Sequence, residues 1–329
     1  MTGARDAPPL FLNVVIPTRN RAQWLARCLR SLADQTYPAT HFDVTVCDDA
    51  SDIDMTSVAG AGDAVNVRNL RLARARGPAA ARNAGWRLTS GDAVVFLDDD
   101  VVVGPAHLAL VAARLHQLGA TVAGVEGRVE PLWEGHVDRD SPFLQTLQTS
   151  GGGHSCNIAY WRSTLERTGG FDEGFLSAVG EDYDLAFRVI RQVGPIFYDA
   201  GLLVHHAVHG ERTIWGLLAL HGRHRPSWLR LYVKHPEQFP PRFLPAWLHA
   251  VFRQIVSRPT PARFVTFLLV REVLTLYTFR RLAQRRPWLY LRWCLLVLAN
   301  TMAIATSWPL LRKHWHRMCA EGINMHTAA

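Results

Sequence analysis

The amino-acid sequence indicates an α/β protein with a mostly parallel sheet flanked by helices. Short runs rich in Val and Ile alternate with segments of helical length, which is typical of strand–helix–strand units. Clusters of acidic residues come directly after two of the predicted strands, where open α/β sheets bind their ligands. The 329 residues are 48% apolar and 19% charged, which is enough for a packed domain and a second region.

The predicted elements alternate along the first 125 residues. Strands are assigned to short β-branched runs, and helices to longer segments that follow a turn or a break. Pro78 and Pro105 mark helix starts, because proline is tolerated in a first turn. In chain order the predictions are a strand at 12–17, a helix from 18–20 to about Leu32, strands at 43–47 and 67–72, a helix from Pro78 to about Leu88, a strand at 93–97, a helix from Pro105 to about Leu118, and a strand at 121–125.

The pattern changes after residue 150. Residues 151–153 are three glycines and predict a flexible or closely packed loop, and residues 185–193 indicate an amphipathic helix. Segments 171–175 and 180–184 are predicted acidic turns, and the proline-rich stretch 236–245 marks a boundary. The expected organisation is a tail at 1–10, a ligand-binding domain at 11–235 and a basic, hydrophobic helical region at 236–329.

Charge is distributed unevenly between the two regions. Residues 1–202 hold 18 Arg and Lys against 24 Asp and Glu, a net −6, whereas residues 203–329 hold 18 against 4, a net +14. No nucleic-acid recognition motif accompanies the basic part, so a nucleic-acid partner is not expected. Its Trp, Leu and Phe content favours an anionic membrane surface.

Segments 263–279 and 288–311 of this region are hydrophobic. The second is long enough to cross a bilayer and carries aromatic residues near its ends, as interfacial segments do. Three interpretations stay open: a spanning helix, a helix lying in the membrane plane, and a helix packed in a water-soluble domain. The polar, proline-containing start shows no signal peptide, so the first domain is expected in the cytosol, at the membrane's cytoplasmic face.

The five cysteines are scattered through the sequence without metal-ligand or redox spacing. We therefore expect them to be reduced and mostly buried. They are Cys28, Cys47, Cys156, Cys294 and Cys319.

The most informative segment is the apolar strand 93–97 followed by Asp98, Asp99 and Asp100. Three adjacent carboxylates repel one another and are costly to bury without a positive counter-charge. A divalent cation that prefers oxygen ligands is the natural candidate. The alternative is an exposed acidic turn between strand and helix.

Two more acidic pairs, Asp48–Asp49 and Glu181–Asp182, occur along the chain. The first pair and the Asp98 cluster each follow a strand, so in a parallel sheet they lie at the same edge. Such a crevice suits a nucleoside diphosphate bridged by a metal ion, with Arg82 near by for a charge-assisted contact. For Glu181–Asp182 the alternative is an acidic pair at a helix N-terminus, where the macrodipole favours negative charge.

Six motifs, in order, resemble those of the family-two inverting glycosyltransferases, which have the GT-A fold. The likeness extends over roughly residues 11–225. The motifs are Val-Val-Ile-Pro17-Thr18-Arg-Asn20, Cys-Asp48-Asp49-Ala-Ser51, Ala-Arg82-Asn83-Ala-Gly85, Phe-Leu-Asp98-Asp99-Asp100, Gly169-Gly-Phe-Asp-Glu173 and Gly180-Glu181-Asp182-Tyr-Asp-Leu185.

The resemblance implies a role for each matching residue. Asp182 is implied as the general base, with Glu181 beside it in the same motif. The implied ligands of Mg²⁺ or Mn²⁺ are Asp100, Asp98 and His206, with His205 as an alternative to His206. The implied nucleotide-sugar site comprises Pro17, Thr18, Asn20, Asp48, Asp49, Arg82, Asp98 and Asp99.

The implied reaction is inverting transfer of a single sugar from a nucleotide-diphospho-sugar to an acceptor hydroxyl. A glycan or lipid-linked acceptor is expected from the basic, hydrophobic C-terminal region. Residues 151–154 and Trp161 either shape the acceptor side or form a tight loop and a core aromatic. The alternatives are a metal-dependent phosphohydrolase with Asp98 as nucleophile, and a non-catalytic, membrane-associated nucleotide-sugar-binding protein.

Overall fold

The computed structural model describes most of the first two-thirds of the chain and parts of the remainder. The chain packs as two compact units, one comprising residues 1–135 and 146–208 and the other residues 136–145 and 209–329. The boundary expected after residue 235 stays a prediction. The described residues are 8–53, 55, 66–133, 152–208, 214–235, 238, 260, 262, 265, 266, 268, 269, 294, 298, 301, 308–321 and 323.

The first unit alternates strands and helices over most of its length. In chain order the elements are β1 Leu12–Thr18, α1 Ala22–Ala33, β2 Phe42–Asp48, β3 Val67–Arg71, α2 Pro78–Arg87, β4 Ala93–Leu97, β5 Val101–Val103, α3 His107–Leu118, β6 Gly124–Leu132, β7 Asn157–Trp161, α4 Arg162–Thr168, α5 Glu181–Gln192 and β8 Ile196–Ala207.

The eight described strands form one sheet in the order β3-β2-β1-β4-β7-β6-β8-β5. Four of the seven pairings are parallel, and they include the continuous block β3-β2-β1-β4. The other three are antiparallel and involve β7 and the β5–β8 pair. The parallel block brings the carboxyl ends of β1, β2 and β4 to one edge.

Helices cover both faces of the sheet. Alternating residues of β1 point to opposite sides, so Val14 and Ile16 contact one core and Val15 contacts the other. The first core is closed by α1 and α3, and the second by α2, α4 and α5. Every residue of β1 and β4 is buried, which is typical of a parallel strand between two helical layers.

Most of the predicted elements are confirmed, with small shifts at their ends. The strand expected at 121–125 begins at Gly124, because residues 119–121 form a 3-10 turn. The helix expected from residue 185 begins at Glu181, so the acidic pair lies in its first turn. Strands β5, β7 and β8 were not predicted. Of the five cysteines, Cys28, Cys47 and Cys156 are buried, and all five are free thiols.

Helix α2 packs unusually closely on the sheet through Gly85. A Cβ atom at this position would lie 2.5 Å from the Cys47 sulfur and 2.6 Å from a Val15 methyl carbon. These distances are too short for any side chain unless the Cys47 or Val15 side chain moves. The close approach places Arg82, one turn earlier on α2, at the carboxyl edge of the parallel strands.

The second unit contains two described helices, α6 Ile214–Lys234 and α7 Trp308–Ala320. Arg230 of α6 pairs with Glu321 just beyond α7, with an N–O distance of 2.7 Å. Segments 263–279 and 288–311 lie largely outside the described residues. Within the part of the chain that the structure describes, we find no helix with the length and apolar character needed to cross a bilayer.

Candidate active site at the carboxyl edge of the sheet

The carboxyl ends of β1, β2 and β4 meet as the parallel arrangement requires. The Thr18 hydroxyl at the end of β1 donates to the Asp99 carboxylate, with an O–O distance of 2.7 Å. The backbone N–H of Asp49, after β2, donates to the Thr18 carbonyl at 2.9 Å. Thr18 therefore joins two of the acidic clusters, and Pro17 precedes it in β1 opposite Cys47.

Both carboxylates of the first cluster fasten neighbouring loops. Asp48 accepts the N–H of Ser51 at 2.8 Å and a guanidinium N–H of Arg71 at 2.9 Å. Asp49 accepts the backbone N–H groups of residues 76 and 77 at 2.6 and 2.9 Å. The two side chains are buried, so they shape this edge of the sheet besides any contact with a ligand.

Asn20 ties the turn after β1 to the turn after β2. Its side-chain amide donates to the Asp52 carboxylate at 2.8 Å, and its side-chain carbonyl accepts the Asp52 N–H at 2.7 Å. Asn20 and Ala50 both have positive φ, 58° and 54°. Left-handed backbone at a residue other than glycine is costly and is often found near functional sites.

Asp98, Asp100 and His206 form a cluster that fits a divalent cation. One ligand atom from each lies within 4.8 Å of the others. The His206 Nε2 is 3.2 Å from an Asp100 oxygen and 3.9 Å from an Asp98 oxygen. Two carboxylates and one imidazole are a suitable set for Mg²⁺ or Mn²⁺, with room for ligand oxygens and water.

The His206 imidazole carries positive charge opposite these two carboxylates. Burial lowers the pKa of His206, but contacts with Asp98 and Asp100 outweigh this and raise it to about 9. A proton on His206 and a bound cation satisfy the same carboxylates. A cation bound at this cluster would compete with that proton for the two carboxylates.

His205, the alternative ligand, points the other way. Successive residues of a strand face opposite sides, and both histidines belong to β8. The His205 Nε2 lies 3.8 Å from a Glu130 oxygen, and the ring is much more exposed than that of His206. The geometry favours His206.

Arg21 supplies a second cation to the Asp98–Asp100 segment. Its guanidinium is 3.1 Å from an Asp99 oxygen and 2.7 Å from an Asp100 oxygen. Burial, and to a lesser degree the Asp100 charge, raise the pKa of Asp99 to about 6 against the opposing effects of Arg21 and Thr18. Sequence reasoning missed Arg21, although it directly follows the Pro17–Asn20 motif.

Arg82 joins the cluster of Asp98, Asp100 and His206 to the acidic pair at the start of α5. One of its terminal nitrogens is 2.7 Å from an Asp98 oxygen, and the other is 3.0 Å from a Glu181 oxygen. The guanidinium lies over the Phe171 ring, 5.5 Å from its centroid. Burial raises the pKa of Asp98, but Arg82 and His206 more than reverse this, so the Asp98 pKa is well below its usual range.

Asp182 is the less buried residue of this acidic pair. It is only partly buried, and its Oδ1 accepts the N–H of Tyr183 at 2.8 Å. Burial raises the pKa of Asp182, while the charges of His154 and Arg82 and the Tyr183 N–H act against this rise. A partly accessible carboxylate with a raised pKa is suited to accept a proton.

Glu181 has a different environment. It is buried, and burial together with the neighbouring Asp182 charge raises the pKa of Glu181 to about 8 against the opposing effect of Arg82. Its Oε1 faces Arg82. This position favours a supporting role for Glu181 over direct contact with an acceptor.

The residues predicted near the acceptor side lie in different environments. The Trp161 indole donates to the Gly119 carbonyl at 3.1 Å and packs against the core, which favours a structural role. His154 lies close to α5, with its Nε2 3.1 Å from the Tyr183 hydroxyl. Residue 151 lies outside the described residues. Glu126, which binds His154, was not predicted, because it reads as an ordinary polar position of a strand.

Comparisons with known proteins identify relatives. The family model described as glycosyl transferase family 2 matches residues 13–169. A pre-mycofactocin glycosyltransferase of Mycobacterium tuberculosis is 31% identical over 245 residues, covering 70% of this chain and 49% of that protein. A validoxylamine A glucosyltransferase of Streptomyces hygroscopicus is 29% identical over 300 residues, covering 78% of this chain and 68% of that protein. The chain thus spans about half the length of the mycobacterial relative.

Solved structures of glycosyltransferases share the fold of this chain. The mannosyltransferase PcManGT from Pyrobaculum calidifontis, in complex with GDP-Man and Mn²⁺, superposes with a TM-score of 0.55 and 20% identity, covering 92% of this chain and 89% of that one. TarS of Staphylococcus aureus superposes with a TM-score of 0.54 and 18% identity, covering 77% of this chain and 54% of that one. At these identities the likeness concerns the fold.

Proposed function

The chain belongs to the glycosyl transferase family 2 and has the GT-A fold, and from this premise we propose that it is a metal-dependent inverting glycosyltransferase. The proposed reaction transfers one sugar from a nucleotide-diphospho-sugar to an acceptor hydroxyl. One observation carries the proposal: three ligand atoms from Asp98, Asp100 and His206 lie within 4.8 Å of one another. Through Arg82, the same cluster is joined to the helix turn that bears Asp182.

The protein's own residues would hold the donor at this edge. Asp98, Asp100 and His206 would bind Mg²⁺ or Mn²⁺, which when bound stabilises the charge of a diphosphate leaving group. Thr18 and Arg21 fix the intervening Asp99. The loops fastened by Asp48, Asp49 and Asn20 would receive the base and ribose.

Asp182 would accept the proton of the attacking hydroxyl. Attack from the side opposite the leaving diphosphate inverts the anomeric configuration. The raised pKa of Asp182 is closer to neutral pH than the ordinary value, which makes the carboxylate a better general base. Proton transfer of this kind typically contributes about 10²–10⁴ in rate.

The acceptor is proposed to be a glycan or a lipid-linked molecule close to a membrane. The net charge of +14 over residues 203–329 supports association with an anionic lipid surface. We place the active domain on the cytoplasmic face of the membrane. Residues 221–228 do not match the Gln-x-x-Arg-Trp motif of processive relatives, which supports single-sugar transfer.

A screen of nucleotide sugars tests this function. The purified protein is incubated with UDP-GlcNAc, UDP-glucose or GDP-mannose, a panel of glycan and lipid-linked acceptors and Mn²⁺, with EDTA as the paired control, and nucleoside diphosphate release is measured. We expect one donor to turn over only with the metal, and NMR of the glycoside formed to show inversion. Metal-independent release, retention of configuration, or a trapped phospho-aspartate at Asp98 would contradict the proposal.

A further inference from the structure

A buried carboxylate on β6 organises the loop that approaches helix α5. Glu126 is 2% exposed. One of its oxygens accepts the backbone N–H groups of residues 152, 153 and 154 at 3.1, 2.9 and 3.0 Å. The same oxygen lies 3.1 Å from the Nδ1 of His154. Burial raises the pKa of Glu126, but these hydrogen bonds reverse the effect and lower it.

The Glu126 contact decides which ring nitrogen of His154 carries hydrogen. An ionised carboxylate only accepts hydrogen bonds, so Nδ1 must donate. The opposite ring nitrogen, Nε2, then faces the Tyr183 hydroxyl at 3.1 Å. The His154 and Tyr183 rings meet edge to face, with centroids 5.3 Å apart.

Tyr183 carries the contact to the general base. Its backbone N–H donates to the Oδ1 of Asp182 at 2.8 Å. Hydrogen bonds therefore connect Glu126 to His154 and His154 to the Tyr183 hydroxyl, and the side chain and backbone of Tyr183 lead from there to Asp182. Every member of the path lies within the first compact unit.

The loop and the helix are also in close contact through their backbones. Gly153 has a φ of +78°, and a Cβ there would lie 2.3 Å from the Cβ of Ala186 on α5. Only glycine fits at this position. The loop therefore packs directly on the helix that bears Asp182.

His154 also lies near the charged groups around Asp182. Burial lowers the pKa of His154, but the Glu126 hydrogen bond and the charges of Asp182, Glu126 and Asp98 raise it overall. Among the groups that act on Asp182, Arg82 is cationic and Asp98 is anionic. The protonated form of His154 favours the ionised form of Asp182.

We propose that Glu126 and His154 form a positioning pair, which acts through Tyr183 to hold the Asp182 carboxylate in place for proton transfer. The inference rests on the proposed function, since it needs Asp182 to be the base. Mutation of a group that only fastens a loop would lower the stability of the protein. Mutation of a positioning pair should lower kcat. Misplacement of a reacting group by about 1 Å can cost roughly a hundredfold in rate.

His154→Asn is the sharpest variant. The asparagine amide can still donate to Glu126, so the loop is kept, but it no longer reaches Tyr183. We expect kcat to fall roughly ten- to a hundredfold while the donor KM and the melting temperature stay close to wild type. Glu126→Gln is expected to lower kcat in the same direction. His116→Asn, at an exposed histidine of α3, is the matched control and should behave like wild type.

A double-mutant cycle with Asp182→Asn separates positioning from a purely structural role. A residue that acts through Asp182 has little effect once that carboxylate is gone, so His154→Asn should change the residual kcat less than about twofold in that background. Full additivity, a wild-type kcat in the His154 variant, or a kcat loss matched by equal loss of folding or donor affinity would overturn the inference. If Asp182→Asn itself keeps normal turnover, the assignment of Asp182 as the base fails and the inference falls with it, while sugar transfer by this protein stands. If Asp182→Asn loses activity but His154→Asn keeps the wild-type kcat, the proposed function stands and only the inference about the pair fails.

Discussion

Asp182→Asn is expected to bind a nucleotide-sugar donor like the wild-type protein and to lose about 10²–10⁴ in kcat. Asparagine has the same shape and keeps the Oδ1 that accepts the Tyr183 N–H. It cannot accept a proton from a hydroxyl. The variant therefore removes the proposed chemistry and leaves the local structure, so kcat falls while the donor dissociation constant stays unchanged.

The pH dependence gives a second readout of the same residue. The pKa of Asp182 is raised above its ordinary value of 3.8, so the wild-type rate should decline with acidification on a limb above pH 3.8. The remaining activity of Asp182→Asn should lack that limb. Asp34→Asn, the same change at an exposed position after α1, is the control. Near-normal turnover of Asp182→Asn at neutral pH would remove the assignment of the base.

Arg82→Met is expected to lower the free energy of unfolding by roughly 3–5 kcal/mol, the usual cost of breaking a buried ion pair by removing one partner. The guanidinium is 2% exposed and pairs with both Asp98 and Glu181. Methionine fills much of the same volume but removes the cation that these two carboxylates share, although His206 still lies 3.9 Å from Asp98. Unfolding in urea, followed by circular dichroism, measures the loss.

Arg87→Met on the same helix is the matched control. Arg87 is half exposed and pairs with Glu173, and such surface pairs are worth about 0–1 kcal/mol. Adding Glu181→Gln to Arg82→Met should recover part of the lost stability, because one unpaired buried carboxylate is removed. A loss below about 1 kcal/mol for Arg82→Met would show that this network does not hold β4 and α5 together.

The parallel half of the fold followed from local sequence. Strands β1, β2 and β4 are mainly apolar or β-branched, and each is followed by or ends in polar residues. Parallel pairing then brings Thr18, Asp48 and Asp98–Asp100 to one edge without any further information. This part of the candidate site needed only the rule that parallel strands share the edge at which they end.

The mixed half was less predictable. Strand β8 contains Gly201 and several polar residues, so it lacks the apolar pattern of a buried strand. Without that strand, the alternation that turns His206 toward Asp100 and His205 away could not be used. Helix α5 begins at the acidic pair, whereas its apolar periodicity suggested a start four residues later.

Contacts between distant segments were beyond sequence reasoning. Glu126 reads as one polar residue among others in β6. It is buried because the N–H groups of a turn some 26 to 28 residues later converge on it. Arg82 was expected near the donor, but its bridge to Glu181 spans 99 positions and depends on how α2 and α5 are placed on the sheet. Such pairings are set by topology, and local patterns carry no signal for them.

Calorimetric titration of UDP and GDP tests the central claim most directly, namely that Asp98, Asp100 and His206 bind a cation that holds a nucleoside diphosphate. It is run with Mn²⁺ and with EDTA on the wild-type protein, on Asp100→Ala, and on Glu130→Ala as a control carboxylate of β6. We expect Mn²⁺ to tighten binding of one nucleotide at least roughly tenfold in the wild type and the control. Removing a residue that merely supports a metal ligand already costs about tenfold in metal affinity or activity, and the metal itself should contribute at least as much. The gain should vanish in Asp100→Ala. Equal affinity with and without Mn²⁺, or an unchanged metal effect in Asp100→Ala, would contradict the claim.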